Sequence, residues 1–284
     1  MAARLDVRKT YKLYVGGKFP RSESGRAYQP QACPHRNAPL GSRKDLRDAV
    51  VAARAAFEGW SGLTAYHRGQ ILYRLAELLQ SRAASFADEM VASGTASESA
   101  RGEVEGAIAL ITWYAGLPDK LQSLLGSQNA VSGPFFNFST VEPTGVVAVA
   151  APAQPSLVGV LALLLPVLAG GNTAVVLVSE PAPLPGLALG ELLAVSDFPG
   201  GVVNLLSGRV AEIRPQMASH RDVDALFFAG TPDAAVGQAA ADSVKRVRWL
   251  ALAPDAWQRV EALTQLSFVE PFVETKTLWH PVAY

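Results

Sequence analysis

Five short runs that are almost entirely apolar, each separated from the next by a stretch of helix length, constrain this chain more than any other feature. The runs lie at 146–151, 173–179, 202–207, 225–229 and 247–253, and the segments between them near 157–169, 183–195, 209–219 and 232–243. A strand that is apolar at every position must be covered on both faces, unlike one that alternates apolar and polar residues. Helices between such strands supply that cover. The expected fold class is therefore α/β, with a doubly wound, mostly parallel sheet.

The residues before Gly145 follow different periods. Residues 11–30 read as a short hairpin, with Gly16-Gly17 and the stretch Ser22 to Gly25 as turn chemistry. Ser42-Arg43-Lys44-Asp45 has the form of a capping box, and Leu46, Val50, Ala53 and Phe57 follow at helical spacing. A second helix is expected from about Tyr66, with Ile71, Leu75, Leu78 and Leu79 on one face, and a third over roughly Ser97 to Tyr114. From Phe135 to Thr140 apolar and polar residues alternate, as in a half-exposed strand. The tail from Ser267 to Tyr284 also reads as extended. A strand so far along the chain from the others either returns to the earlier hairpin or pairs with another molecule.

Charge and composition exclude several classes of function. With 25 basic and 25 acidic residues the net charge is zero, which leaves no electrostatic footprint for nucleic acid or for an anionic membrane. The longest apolar stretch, Leu157 to Gly171, contains Pro166 and three glycines and is too short for a bilayer span. The first ten residues carry charges with no apolar segment behind them, so no secretory signal is expected and the location is read as cytoplasmic. Cys33 is the only cysteine, which excludes an internal disulfide, and the four histidines lack ligand spacing, so no metal site is expected. Cys33-Pro34-His35 could pair a thiol with an imidazole, but such close neighbours around a proline rarely align, and the cysteine is read as incidental. Trp113, Tyr114 and Trp249 are read as core or interface aromatics, and Lys245, Arg246 and Arg248 as a solvated strand entry.

Several ordered blocks resemble the aldehyde dehydrogenase superfamily. They include Glu142-Pro143-x-Gly145, Ala169-Gly170-Gly171-Asn172-Thr173, Ser179-Glu180-Pro181, Pro199 to Asn204 and Val223 to Gly230, with Tyr14-Val15-Gly16-Gly17 and Glu274-Thr275-Lys276-Thr277 near the two ends. The resemblance covers 11 to about 254 and then 267–284. It implies a Rossmann-like, NAD-binding-type domain over 1–254, with an oligomerisation hairpin near 126–144, and a linker with a C-terminal oligomerisation strand over 255–284. The segment absent between them is the family's catalytic domain. The chain is similar to the shortened, non-catalytic second copy carried by family 16 of the aldehyde dehydrogenases.

What the resemblance implies about chemistry is mostly loss. The family needs a thiolate nucleophile, an amide donor for the oxyanion, a general base and a bound nicotinamide. No cysteine follows position 33, the family's Pro-Trp-Asn reads Pro152-Ala153-Gln154, and its general-base Glu falls at Leu250 or Ala251. Its Lys-Pro-Ser-Glu block reads Leu177-Val178-Ser179-Glu180, which keeps the acid and loses the cation. No catalytic residue is assigned. Vestigial cofactor-binding residues are Glu180, as a ribose acceptor or merely a helix-cap carboxylate, and Gly230 with Thr231, where Thr231-Pro232 could open a helix whose free N–H groups meet an anion.

No cofactor is therefore expected, and any NAD binding would be weak. The expected function is that of a pseudoenzyme, an aldehyde dehydrogenase-like subunit that dimerises with itself or forms a heteromer with a full-length aldehyde dehydrogenase through the 135–143 and 272–279 strands. The alternatives are an NAD- or nucleotide-binding regulatory subunit, and part of an active NAD-dependent oxidoreductase completed by a partner chain.

Overall fold

A computed structural model describes residues 9–282. The reading of the first ten residues as lacking a signal thus falls almost wholly outside the described part, as does the end of the expected tail strand at 283 and 284. After two short paired strands, β1 (Ala27–Tyr28) and β2 (Ala38–Pro39), a helical layer begins: α1 (Arg43–Ser61), α2 (Ala65–Ser81), α3 (Ala83–Ala92), α4 (Ser97–Ala115) and α5 (Leu121–Leu125). The capping box that opens α1 is present in full. Ser42 accepts from the Asp45 N–H while the Asp45 carboxylate accepts from the Ser42 N–H, which satisfies donors that a helix start would otherwise leave unpaired.

Next come β3 (Ser127–Asn129) and β4 (Phe135–Pro143), then the alternating part of the chain: β5 (Val146–Ala150), α6 (Val158–Ala169), β6 (Thr173–Leu177), α7 (Pro183–Leu193), β7 (Val203–Leu206), α8 (Val210–Ser219), β8 (Ala225–Ala229), α9 (Ala234–Ala241) and β9 (Arg246–Leu250). A short helix, α10 (Val260–Leu263), precedes the last strand, β10 (Val273–Pro281). The main sheet is all parallel, in the order β7-β6-β5-β8-β9.

Alternate residues of its central strands enter two separate cores, as strand geometry requires. Val147, Val149, Ala174, Val176 and Phe227 pack with α2, α4, α6 and α7, whereas Val146, Ala148, Val175, Leu177 and Phe228 pack with α1, α8 and α9. Every residue of α6 is buried, because the helix lies between the sheet and α4. A helix apolar all round is stable only in such a place.

A second sheet, antiparallel in the order β10-β4-β3, stands beside this body. Each residue of β10 pairs with one of β4, from Val273 opposite Pro143 to Pro281 opposite Phe135, so the tail returns to its own hairpin. Asn172 fastens the second sheet to the first. Its side chain accepts from the Gly145 N–H at 2.9 Å and donates to the carbonyls of Val167 and Phe272 at 3.1 and 2.8 Å, all within the core.

Some local expectations are corrected. The hairpin expected over 11–30 is confined to 13–20, where the Leu13 N–H donates to the Pro20 carbonyl and Val15 and Lys18 exchange backbone hydrogen bonds. Val15 bridges Lys18 across the tight Gly16-Gly17 turn, and Tyr14 bridges Leu205 at the edge of the main sheet, so the segment is ordered by a strand far away in sequence. The tail is extended only from Val273, because two 3-10 turns at Leu266–Phe268 and Glu270–Phe272 bury Phe268 and Phe272 first. The last parallel strand stops at Leu250, not at 253. Arg246 is not simply solvated. It donates to the Val273 carbonyl at 2.6 Å and pairs with Glu274 at 3.5 Å, clamping β9 to the tail.

Candidate functional site

In an open parallel sheet, ligands are held outside the carboxyl ends of the strands where the winding direction reverses. Here β6 lies on one side of β5 and β8 on the other, so the reversal falls at β5. The turns that border this crevice are 151–157 after β5, 178–182 after β6 and 230–233 after β8. All three expected cofactor-binding residues stand in these turns.

Both carboxylate oxygens of Glu180 have a partner within the chain. One carboxylate oxygen accepts from the Val210 N–H at 2.8 Å, the first residue of α8, and the other meets the Arg209 guanidinium at 2.8 Å. The carboxylate caps a helix and holds a cation, the arrangement a helix N-terminus favours. The same contact raises the Arg209 pKa, with the Glu180 hydrogen bond as its main cause. Arg209 also stacks over the Tyr28 ring at 5.0 Å, while the Tyr28 hydroxyl donates to the Glu180 carbonyl at 3.0 Å. Burial, followed by the nearby Glu180 charge, pushes the Tyr28 phenol above its ordinary range. A small cavity of about 290 Å³ opens beside this cluster, lined by Gln31, Ala153, Glu180 and Arg209 among others.

Gly230 and Thr231 do not share that cavity. Gly230 takes φ +105°, a value that suits glycine, and donates its N–H to the Leu250 carbonyl. It serves the turn that joins β8 to the level of β9. Thr231 does not open the following helix. Asp233 is the cap, its side chain accepting from the Ala235 N–H at 2.9 Å, and α9 begins at Ala234. The reason is chemical: a short carboxylate is a better cap than a threonine followed by proline. The consequence is a negative charge, paired with Arg214 at 3.3 Å, at the position where an anionic ligand would need free N–H groups.

These residues do not fit a dinucleotide. Each oxygen of the ribose acceptor already has a partner, the helix start carries a carboxylate, and Leu177, where the resemblance places the family's lysine, is buried in the core.

Two features were not legible as expected. Cys33 does approach an imidazole: its sulfur lies 3.5 Å from His35 Nε2 and 3.8 Å from the Ala92 carbonyl, because the loop between β1 and β2 folds back over itself. The thiol is buried there. Glu103 on α4 reads in the sequence as an ordinary exposed helical acid, yet it accepts from the N–H groups of Leu157 and Val158 at 2.7 and 3.1 Å and so caps α6. Burial raises its pKa, and the backbone hydrogen bonds pull the other way. Glu103 lines a cavity of about 410 Å³ with Glu98, Val158, Trp257 and Leu263, the last two from the segment between β9 and β10. No sequence signal locates that cavity, since its walls lie some 150 residues apart in the chain. Among the described residues no group of three or more His, Cys, Asp or Glu could hold a metal ion.

Comparison with known proteins agrees with the fold and order of elements. Residues 23–251 match the aldehyde dehydrogenase family. Retinal dehydrogenase 2 of Gallus gallus is 33% identical over 241 residues, 81% of this chain and 45% of that protein. Omega-crystallin of Enteroctopus dofleini is 31% identical over 233 residues, 79% of this chain and 46% of that protein. Among solved structures, PnpE from Pseudomonas sp. WBC-3 superposes with a TM-score of 0.79 at 29% identity, covering 85% of this chain and 50% of that one. A second structure of PnpE, in complex with nicotinamide adenine dinucleotide, gives a TM-score of 0.80 at 29% identity, covering 84% and 50%. The chain spans about half the length of the curated relatives it matches.

Proposed function

We propose that this chain, which belongs to the aldehyde dehydrogenase family, works as a non-catalytic subunit that dimerises with itself or with a full-length aldehyde dehydrogenase. In this reading 1–254 is the nucleotide-binding-type domain, 255–284 links it to the last strand, and the β3-β4-β10 sheet is the interaction surface. A cytoplasmic location belongs to the same proposal; among the described residues no helix is long and apolar enough to cross a membrane.

The observation that carries the non-catalytic part is the state of Glu180. A carboxylate that accepts ribose hydroxyls must turn its oxygens to the crevice, and here each oxygen is oriented by a partner within the chain, Arg209 on one and the Val210 N–H on the other. Asp233 adds a repulsive charge at the neighbouring helix start. When bound in the family's manner, NAD accepts a hydride from the substrate; the residues bordering this crevice offer it a ribose acceptor already bonded to Arg209 and a helix start already carrying Asp233, and no reaction step is assigned to them. The one cysteine is buried, its sulfur set against the Ala92 carbonyl and the His35 ring.

The alternative of a nucleotide-binding regulatory subunit draws its support from the likeness to PnpE, one structure of which contains nicotinamide adenine dinucleotide. Titration of the purified chain with NAD in a calorimeter separates the two. The expected result is no binding below about 1 mM, the range at which association contributes only about 4 kcal/mol. Native mass spectrometry of the tagged chain from its own host reads its composition, with a homodimer or a complex containing a longer, cysteine-bearing aldehyde dehydrogenase as the expected species. Oxidation of an aldehyde with NAD by the chain alone would overturn the non-catalytic reading.

A further inference from the structure

The open edge of β10 has a defined hydrogen-bonding phase. At one end of its ladder with β4 the Thr144 N–H donates to the Phe272 carbonyl, and at the other the Val282 N–H donates to the Pro134 carbonyl. Hydrogen-bonded pairs recur at every second residue of an antiparallel ladder. The even-numbered residues of β10 therefore bond to β4, and Val273, Thr275, Thr277, Trp279 and Pro281 turn their backbone groups to the free side. Among the described residues no strand pairs with that side.

We infer that β10 is a self-complementary edge and that its occupant is β10 of a second copy of this chain, antiparallel about a two-fold axis at Thr277. This rests on the reading of the β3-β4-β10 sheet as the interaction surface, and it names the partner and the register.

Three features of the strand select that axis. The register uses the full length of β10, placing Thr277 opposite Thr277, Thr275 opposite Trp279, and Val273 opposite Pro281. The last pair is unusually well matched. Pro281 has no N–H to give, and the Val273 carbonyl that would receive it already accepts from Arg246 at 2.6 Å. Charges also agree. Glu274 falls opposite His280 and Lys276 opposite Leu278, so no like charges meet across the new ladder. An axis at Lys276 would set that lysine against itself, and an axis at Thr275 would leave Leu278 to Pro281 unpaired.

The side chains are suited to joining. Trp279 is 59% exposed and Leu278, Phe135 and Phe136 are between 36% and 42% exposed, so the outer end of the small sheet is apolar. A strand edge of this kind is normally shielded when it is meant to stay alone. Lys276, the residue that would guard it, is held by Glu142 of the neighbouring strand at 2.8 Å.

The test uses the full chain with Cys33→Ser to remove the buried thiol. Under mild oxidation Thr277→Cys should give a covalent dimer in most of the protein, because facing residues of a hydrogen-bonded pair have Cα atoms about 5.5 Å apart, within disulfide reach. Thr275→Cys should not, since it faces Trp279. Without oxidant, Thr277→Pro should weaken the dimer at least about tenfold in sedimentation velocity. It removes an outward N–H and the side-chain bond to Ser139 at 2.9 Å but leaves the backbone bonds to β4 in place, so its thermal melt should remain cooperative; were it to misfold, the two cysteine variants decide. Crosslinking of Thr275→Cys in place of Thr277→Cys would overturn the register. A monomeric mass at tens of micromolar would overturn the self-pairing, whether or not the chain captures a longer aldehyde dehydrogenase from its host.

Discussion

The two places where this chain could meet another molecule differ in how their polar groups are used. At the carboxyl ends of the parallel strands, Glu180 is held by Arg209 and the start of α8, Asp233 by Arg214 and the start of α9, and Glu103 by the start of α6. Along β10 the outward backbone groups of Thr275, Thr277 and Trp279 meet no other strand among the described residues. The same scaffold thus closes one surface with side chains and leaves the other open with main chain. Backbone groups left unpaired by their own chain favour a partner that pairs them, and the proposed role of the small sheet rests on this contrast.

The contrast can be broken most severely at Asn172, which joins the two regions. Asn172→Ala strips the buried Gly145 N–H of its partner and takes one of two donors from each of the Val167 and Phe272 carbonyls, and should cost about 1–3 kcal/mol in urea unfolding. Amide exchange should rise in β10 beyond what the global loss explains, because the Phe272 carbonyl at the entry of that strand is then held by the Thr144 N–H alone. An unchanged midpoint would show that the small sheet is held by other contacts.

A smaller effect sharpens the crevice side. Glu180→Ala removes the cap of α8 and the partner of Arg209, and should lower stability by about 1 kcal/mol while leaving NAD titrations flat. Loss of a measurable NAD affinity in this variant would instead identify Glu180 as a ribose acceptor.

The smallest effect appears only as a slope with pH. Burial holds the Glu103 carboxyl above its ordinary value, so the folded chain binds this proton more tightly than the unfolded chain does. Its contribution to stability is therefore complete below the ordinary carboxylate pKa of about 4.3 and fades as pH rises through the folded-state value. Glu103→Gln, which keeps an acceptor for the Leu157 N–H, should flatten that part of the urea-midpoint profile above about pH 4.3. A profile identical to that of the parent chain would mean that the backbone hydrogen bonds offset the burial.

Much of the architecture was legible before any coordinates. Runs such as Thr173–Leu177 and Ala225–Ala229 are apolar on both faces, and this alone required helices on each side. Ser42 with Asp45 announced the first helix, since a capping box is a local pattern of side chain and backbone. The site was legible in part. Glu180, Gly230 and Thr231 do border the crevice, but the sequence did not say whether Glu180 would face a ligand or cap a helix, and it placed the start of α9 on Thr231 in place of Asp233.

What the sequence determined by itself is what is written in a period of two or of about 3.6 residues: the five parallel strands, the helices between them, α1, α2 and α4 ahead of them, and that the sheet is covered twice. Tertiary structure alone decided the long-range pairings. Tyr14 joins Leu205, Arg209 reaches Glu180, Glu103 caps a helix that begins 55 residues later, and the tail returns to β4 residue by residue. Periodicity reports the burial of a face within one segment, because the geometry of each element repeats locally. Which partner a charge or a strand edge finds depends on where packing brings segments far apart in the chain, and no local repeat encodes that.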